Sequence, residues 1–131
     1  MRAIRRRDTL PELRLRSALH RDGLRFRVDY PLRFESSRPV RPDVVFTRWR
    51  LAVFVDGCYW HGCPEHGVRQ GGKNAGYWSP KIARNVERDA EQAALLERHG
   101  WRVLRFWEHD DPEAAATAVA DAIEQARSQQ R

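Results

Sequence analysis

The pattern of apolar and polar positions in the first quarter of the chain predicts a helix followed by a strand. Residues 9–23, "TLPELRLRSALHRDG", have Thr9 as an N-cap and Glu12 in the third helical position, which together form a capping box. Gly23 then ends the helix. The segment 25–32, "RFRVDYPL", alternates basic and apolar residues, and it therefore predicts an edge strand.

Two apolar runs separated by a polar break predict a β-hairpin in the middle of the chain. The first run is Val44–Phe46, the turn covers 47–50, and the second run is Leu51–Val55. Because the second run is continuously apolar, we expect a strand that is buried on both faces. That strand ends at Asp56 and is followed directly by a glycine.

The second half of the chain predicts a helix, a strand and a final helix. Pro80–His99 reads as a helix, 101–107 ("WRVLRFW") as a strand, and Asp111 as the cap of a last helix with Pro112 in its first turn, reaching about Arg127. The order α, β, β-hairpin, α, β, α predicts an α/β class with a small sheet flanked by helices.

Length, composition and charge limit the functional classes. A chain of 131 residues fits one domain. It has no apolar run long enough to span a membrane, and its basic N-terminus lacks the apolar region of a secretory signal, so we expect a cytoplasmic protein. The first fifty residues carry a net charge of +8 and the remainder −2, which favours a polyanionic partner at one end. Most of the positive charge is arginine, which suits phosphate but can also reflect genome composition.

A cluster of cysteine and histidine follows the central strand. Cys58, Cys63 and His66 provide three metal ligands within nine residues. A small-loop disulfide, or two reduced thiols beside surface histidines, are the alternatives, although a reducing compartment favours metal. A structural zinc site needs a fourth ligand. The remaining candidates are His61, His99 and His109.

Acidic residues lie at the ends of the predicted hairpin and on a helix face. Asp43 precedes the first strand and Asp56 ends the second, thirteen positions later, as in nucleases whose strand-borne acids hold a divalent cation. Asp89 falls on the apolar face of the predicted helix, beside Leu96. A carboxylate placed there needs a partner, so Asp89 either pairs with an arginine such as Arg105 or serves as a catalytic or orienting acid.

Taken in order along nearly the whole chain, seven segments resemble the Vsr family, the very-short-patch-repair DNA mismatch endonucleases. The segments are "MRAI", "RDT", "RPDVVF", "VFVDGCYWHGCPEHG", "YWSPKI", "NVERD" and "GWRVLRFWE". The resemblance implies a restriction-endonuclease-like three-layer fold with a small mixed central sheet and a zinc-stabilised loop. It further implies a single endonuclease domain over 1–131, with a short basic arm at 1–8.

The resemblance also assigns roles at the predicted end of the hairpin. Asp43 matches the family's magnesium-binding aspartate, and Val55 matches the position whose backbone carbonyl completes the metal shell. Asp56 stands where the best-known bacterial member has a second active-site histidine, so it is a further candidate magnesium ligand. His61 matches the histidine that activates water, and Asp89 matches the acid that supports it.

Other positions matched by the resemblance concern the first helix, the zinc and DNA. Glu12 lies where the first helix brings an acid towards the active site. The zinc ligands implied are Cys58, Cys63, His66 and His109. The aromatic residues implied to wedge into the DNA stack beside a mismatch are Tyr59, Trp60 and Trp78. Core packing is the alternative for the first two of these. The basic arm implies DNA contacts from Arg5, Arg6 and Arg7.

The function implied is Mg²⁺-dependent nicking of double-stranded DNA, 5′ to the thymine of a T:G mismatch, in very short patch repair. We expect a monomer that acts on the nucleoid in a bacterial cytoplasm, with mismatch-repair proteins as further candidate partners and no membrane. One alternative is a nuclease of the same fold that acts in restriction or phage defence. Another is a catalytically inactive, zinc-stapled DNA-binding module, against which the presence of Asp43, His61 and Asp89 argues.

Overall fold

Three helices and three short strands make up the described part of the chain, which is residues 9–34, 38–57 and 80–129 of a computed structural model. The helices are α1 (Leu10–Arg21), α2 (Pro80–Arg98) and α3 (Pro112–Gln129), and the strands are β1 (Val44–Phe46), β2 (Leu51–Asp56) and β3 (Arg102–Trp107). No helix in these ranges is both long enough and apolar enough to cross a lipid bilayer.

Local sequence signals determine where the helices begin and end. The predicted capping box of α1 is present, with the Glu12 backbone N–H donating to Thr9 Oγ1 and the Thr9 backbone N–H donating to Glu12 Oε1. Gly23 and Gly100 follow α1 and α2 with φ angles of +78° and +84°, a region that glycine enters without steric cost. The predicted hairpin and the last two helices are confirmed to within two residues at each end.

The sheet of the described residues is mixed and has the order β1-β2-β3. β1 pairs with β2 in the antiparallel sense, with Val44 opposite Val53, and β2 pairs with β3 in the parallel sense, with Phe54 opposite Arg105. Five of the six residues of β2 are fully buried, as its continuous apolar run predicted. Because β1 starts where β2 ends, residues before β1 and at the end of β2 lie at the same edge of the sheet.

Helices cover both faces of the sheet and bury its two sets of side chains. On one face Val44, Leu51 and Val53 pack against α1 and α3. On the other face Ala52 and Phe54 pack with Leu96 of α2. Alternate residues of β2 therefore contribute to two separate apolar clusters, which is the small mixed sheet flanked by helices that the sequence predicted.

The prediction of an edge strand at 25–32 was wrong. This segment makes only isolated bridges, from Arg27 to Val45 and from Leu32 to Val40. Asp29 has a φ angle of +52°, outside the extended region, and Pro31 has no backbone N–H to donate to a ladder. The segment therefore pairs with β1 at Arg27 and with the chain before β1 at Leu32.

Candidate active site

Two acidic side chains meet at the sheet edge where β1 begins. The Asp43 backbone N–H donates to the Val53 carbonyl oxygen at 2.9 Å, which fixes the main chain in the ladder. The Val55 backbone N–H donates to Asp43 Oδ2 at 2.6 Å, so the carboxylate is turned across the end of β2. Glu12, in the first turn of α1, is only 2% exposed and shares a hydrogen bond with Asp43.

The proximity of these carboxylates changes the acidity of Asp43. The pKa of Asp43 is raised from 3.8 to about 8. Burial has the largest effect, followed by the hydrogen bond and the charge of Glu12, and the charge of Asp56 adds a smaller effect. The hydrogen bond from the Val55 N–H opposes the shift. At neutral pH, and with no cation present, Asp43 is therefore largely protonated.

The capping box positions Glu12 for this contact. Its Oε1 accepts from the backbone N–H of Thr9 at 3.3 Å and lies 3.5 Å from Nη2 of Arg16, one turn further along α1. A glutamate in this helical position is held from two sides, and its carboxylate has little freedom to rotate. A local helix-start signal therefore also aims an acidic group at the sheet edge.

Asp56 and Asp89 are brought together by an arginine on β3. Arg105 Nη1 lies 3.0 Å from both carboxylate oxygens of Asp56, which is only 5% exposed, and 3.8 Å from Oδ1 of Asp89 on α2. The pairing of Asp89 with Arg105 is one of the two interpretations that the sequence left open. Within the described residues, Nη2 of Arg105 is buried and donates no hydrogen bond.

A hard divalent cation fits the donor set at the sheet edge. Asp43 and Glu12 are hydrogen-bonded to each other, and Asp43 regains its charge when a cation replaces its proton. Mg²⁺ is commonly held by one or two carboxylates, with water completing its shell. No cluster of three or more His, Cys, Asp or Glu side chains arranged for a metal occurs among the described residues.

Of the four predicted zinc ligands, only His109 lies among the described residues. His109 is exposed in the turn after β3, and its Nε2 lies 3.7 Å from Oδ1 of Asp110. The Glu108 backbone N–H donates to the Asp56 carbonyl oxygen at 2.9 Å, so this turn lies at the acidic edge of the sheet. His99, the other described candidate, ends up beyond the opposite end of β3, stacked on Phe34.

The remaining predicted site residues lie outside the described residues. The zinc ligands among them are Cys58, Cys63 and His66. The others are His61, Tyr59, Trp60, Trp78, Arg5, Arg6 and Arg7. Sequence reasoning named Arg105 only as a partner for Asp89 and missed its closer contact with Asp56. The signal was available, because Arg105 lies between the apolar residues Leu104 and Phe106 in the middle of the strand.

Comparison with known proteins identifies the family. The family model for the DNA mismatch endonuclease Vsr matches residues 1–66. Over 123 residues the chain is 52% identical to the Type II nicking enzyme V.NaeI of Lentzea aerocolonigenes, covering 94% of this chain and 74% of that enzyme.

Two further relatives agree with this match. The Type II nicking enzyme V.XorIIP of Xanthomonas oryzae pv. oryzae is 42% identical over 111 residues, covering 82% of this chain and 76% of its own length. The DNA mismatch endonuclease Vsr of Escherichia coli K12 is 42% identical over 108 residues, covering 82% of this chain and 66% of its own length. The chain is thus a DNA endonuclease, and it belongs to the Vsr family.

Proposed function

We propose that this endonuclease is a Mg²⁺-dependent nickase of very short patch repair, which hydrolyses the phosphodiester 5′ to the mismatched thymine of a T:G pair. The observation that carries the proposal is the Glu12–Asp43 pair at the sheet edge, with its raised Asp43 pKa. Two adjacent buried carboxylates lower the stability of the folded state, because their charges repel each other. A divalent cation bound between them removes this repulsion.

Asp43 and Glu12, with the backbone carbonyl of Val55, would hold Mg²⁺. When bound, the ion supplies a Lewis acid that stabilises the charge developing on the phosphate and lowers the pKa of a coordinated water. The Val55 N–H bond to Asp43 keeps that carboxylate in one orientation. On the family resemblance, His61 takes the proton of the attacking water, and Asp89 orients the imidazole and stabilises its charged form.

The segment between β2 and α2 completes the proposal. Zinc held by Cys58, Cys63, His66 and His109 would fix the position of the catalytic groups beside it, because a catalytic group that is misplaced by about 1 Å loses much of its rate. The rings of Tyr59, Trp60 and Trp78 would enter the DNA stack beside the mispair, where unstacking costs less than in matched DNA.

A nickase of the same chemistry that needs no mismatch, serving restriction or phage defence, is the second candidate. It is favoured by the names of two relatives, which state nicking and mention no mismatch. Both candidates use the same acids and the same cation. They differ only in which duplex is cut.

The test is strand-specific nicking of duplexes that differ at one position, T:G, T:A or C:G, with randomised flanking pairs and with or without Mg²⁺. We expect a nick 5′ to the thymine, in the T:G duplex alone and only with Mg²⁺. Equal nicking of the matched duplexes would instead favour the second candidate. Nicking in the presence of EDTA would contradict the metal-dependent mechanism.

A further inference from the structure

Arg105 lies at the centre of a charged cluster between the sheet and α2. Its Nη1 contacts both oxygens of Asp56 at 3.0 Å and lies 3.8 Å from Oδ1 of Asp89, while its Cζ lies 4.2 Å from the centre of the Phe54 ring. The side chains of Arg105, Asp56 and Asp89 are 25%, 7% and 19% exposed. One guanidinium therefore connects the end of β2 to the middle of α2.

The position of this guanidinium is fixed from several sides. Arg105 is directly opposite Phe54 in the parallel ladder, so the ring lies beneath the arginine. Cation–π contacts of this kind are stronger when they are partly desolvated, as here. The contact with both oxygens of Asp56 then limits rotation of the guanidinium, because a charged group at this depth is stable only when it is paired.

The middle of α2 depends on this cluster for its contact with the sheet. Within the described residues, α2 fully buries Ile82 and Leu96, which are about 21 Å apart along the helix axis at 1.5 Å per residue. Asp89 lies halfway between these two apolar anchors. The contact of Asp89 with Arg105 is thus a polar link where the helix buries no large apolar side chain.

The same contacts give Asp56 a different task from that of Asp43. Both Asp56 oxygens accept from Arg105, whereas Asp43 accepts from the Val55 N–H and is hydrogen-bonded to Glu12. A carboxylate with both oxygens on one guanidinium acts as its counter-ion. Asp56 is therefore placed to anchor Arg105.

We infer that Arg105 is a positioning residue of the nicking reaction, which fixes the carboxylate of Asp89 and uses Asp56 as its anchoring counter-ion. This inference rests on the proposed function. Asp56 then takes no part in binding Mg²⁺. Its role is to form the ion pair with Arg105, and it does not act on the substrate directly. A pair between β2 and β3 sets the catalytic geometry of a residue on α2.

The test compares Arg105→Met and Arg105→Lys with the control Arg102→Met. Arg102 begins the same strand and donates to Gln125 and Gln129 of α3, away from the acids. At saturating T:G duplex and Mg²⁺, the single-turnover rate of Arg105→Met should fall by about 10–100-fold, the usual cost of losing a supporting contact. DNA affinity should be unchanged, Arg105→Lys should recover part of the rate, and Arg102→Met should nick as the wild type does.

A second measurement keeps the inference testable if Arg105→Met folds poorly. The free energy of unfolding is measured for Asp56→Asn, Arg105→Met and the double variant, and this measurement does not depend on nicking activity. The double variant should lose clearly less stability than the sum of the singles, because removing both charges leaves no unpaired one behind. Asp56→Asn should also keep the wild-type Mg²⁺ concentration for half-maximal nicking.

Three outcomes would overturn the inference. The first is that Arg105→Met nicks the T:G duplex as fast as an active wild type. The second is that the stability losses of Asp56→Asn and Arg105→Met are strictly additive. The third is that Asp56→Asn needs more Mg²⁺ than the wild type for half-maximal nicking. A wild type that nicks no duplex would remove the proposed function, and with it the role of Arg105. That failure is distinct, since in the first three cases the wild type still cuts DNA.

Discussion

At the scale of single residues, the chemistry of the site depends on how four acids are partnered. Glu12 and Asp43 are hydrogen-bonded to each other, while Asp56 and Asp89 both contact the guanidinium of Arg105. The guanidinium is always charged and keeps both oxygens of Asp56 occupied, whereas the proton on Asp43 can be replaced by a metal ion. A divalent ion should therefore prefer the first pair.

The raised pKa of Asp43 predicts a pH dependence of stability. Because the pKa of Asp43 is about 8 in the folded protein and 3.8 as its ordinary value, the folded state binds more protons than the unfolded state between these limits. The free energy of unfolding of the cation-free protein should thus fall as pH rises from about 4 to about 8, by at most about 1.4 kcal/mol per pH unit from this group.

Urea unfolding in Mg²⁺-free buffer across this pH range measures the effect, with Asp43→Asn as the comparison. The variant should lose this part of the slope, because an amide does not titrate. Mg²⁺ added at pH 8 should stabilise the wild type more than the variant. An identical slope in both proteins would show that Asp43 titrates normally in the folded state.

At the scale of elements, α1 connects helix stability to the position of Glu12. The Thr9 side chain accepts the backbone N–H of Glu12, and the Glu12 carboxylate accepts that of Thr9. Thr9→Ala should lower the free energy of unfolding by about 1 kcal/mol, the typical cost of losing an N-cap. It should also lower the nicking rate, because Glu12 loses one of the contacts that hold it.

Thermal or urea unfolding checks the first effect, and Thr117→Ala is the matched control. Thr117 lies inside α3, where its hydroxyl donates to the Glu113 carbonyl oxygen, and alanine has the higher helix propensity there. The control should keep wild-type stability or exceed it. Equal losses in the two variants would contradict a capping role for Thr9.

The sequence predicted the elements well where one residue carries a steric or hydrogen-bonding requirement. Thr9, Gly23, Gly100 and Pro112 each have a clear preference at a helix end, and each is found there. The segment 25–32 was misassigned because alternation cannot detect the positive φ angle of Asp29. Element ends were thus predictable from single residues, whereas pairing between distant segments was not.

The candidate site was predictable to a similar extent. The strand ends carrying Asp43 and Asp56 follow from the apolar runs between them, because an antiparallel hairpin returns to its starting edge. The division of labour between these acids could not be predicted, since it depends on Arg105, forty-nine positions after Asp56. The raised pKa of Asp43 likewise requires knowing that α1 packs beside β1.

At the scale of the whole molecule, the acidic edge of the sheet collects parts that are far apart in sequence. The first turn of α1, the ends of the hairpin and the turn after β3 all lie there. A zinc ion held by the cysteines and histidine that follow β2 in sequence, and by His109, would join two of these parts. Removing it should therefore loosen the site as well as the fold.

The zinc prediction is that the purified protein holds about one zinc per chain through Cys58, Cys63, His66 and His109. Cys63→Ser should lose the metal and melt at a lower temperature, measured by metal analysis and thermal unfolding under reducing conditions. His99→Ala is the control, because His99 lies beyond the other end of β3 and should leave the zinc in place. An unchanged zinc content in His109→Ala would remove that ligand from the site.

The central claim is that the Glu12–Asp43 pair is the Mg²⁺ site of a nicking endonuclease. The most direct measurement is the single-turnover nicking of a T:G duplex by Asp43→Asn, with DNA binding measured in parallel. The control is Asp29→Asn, an exposed aspartate paired with Arg41, at a positive φ angle that asparagine tolerates. We predict that Asp43→Asn binds DNA but does not nick it, while the control nicks normally; nicking near the wild-type rate by Asp43→Asn would contradict the account.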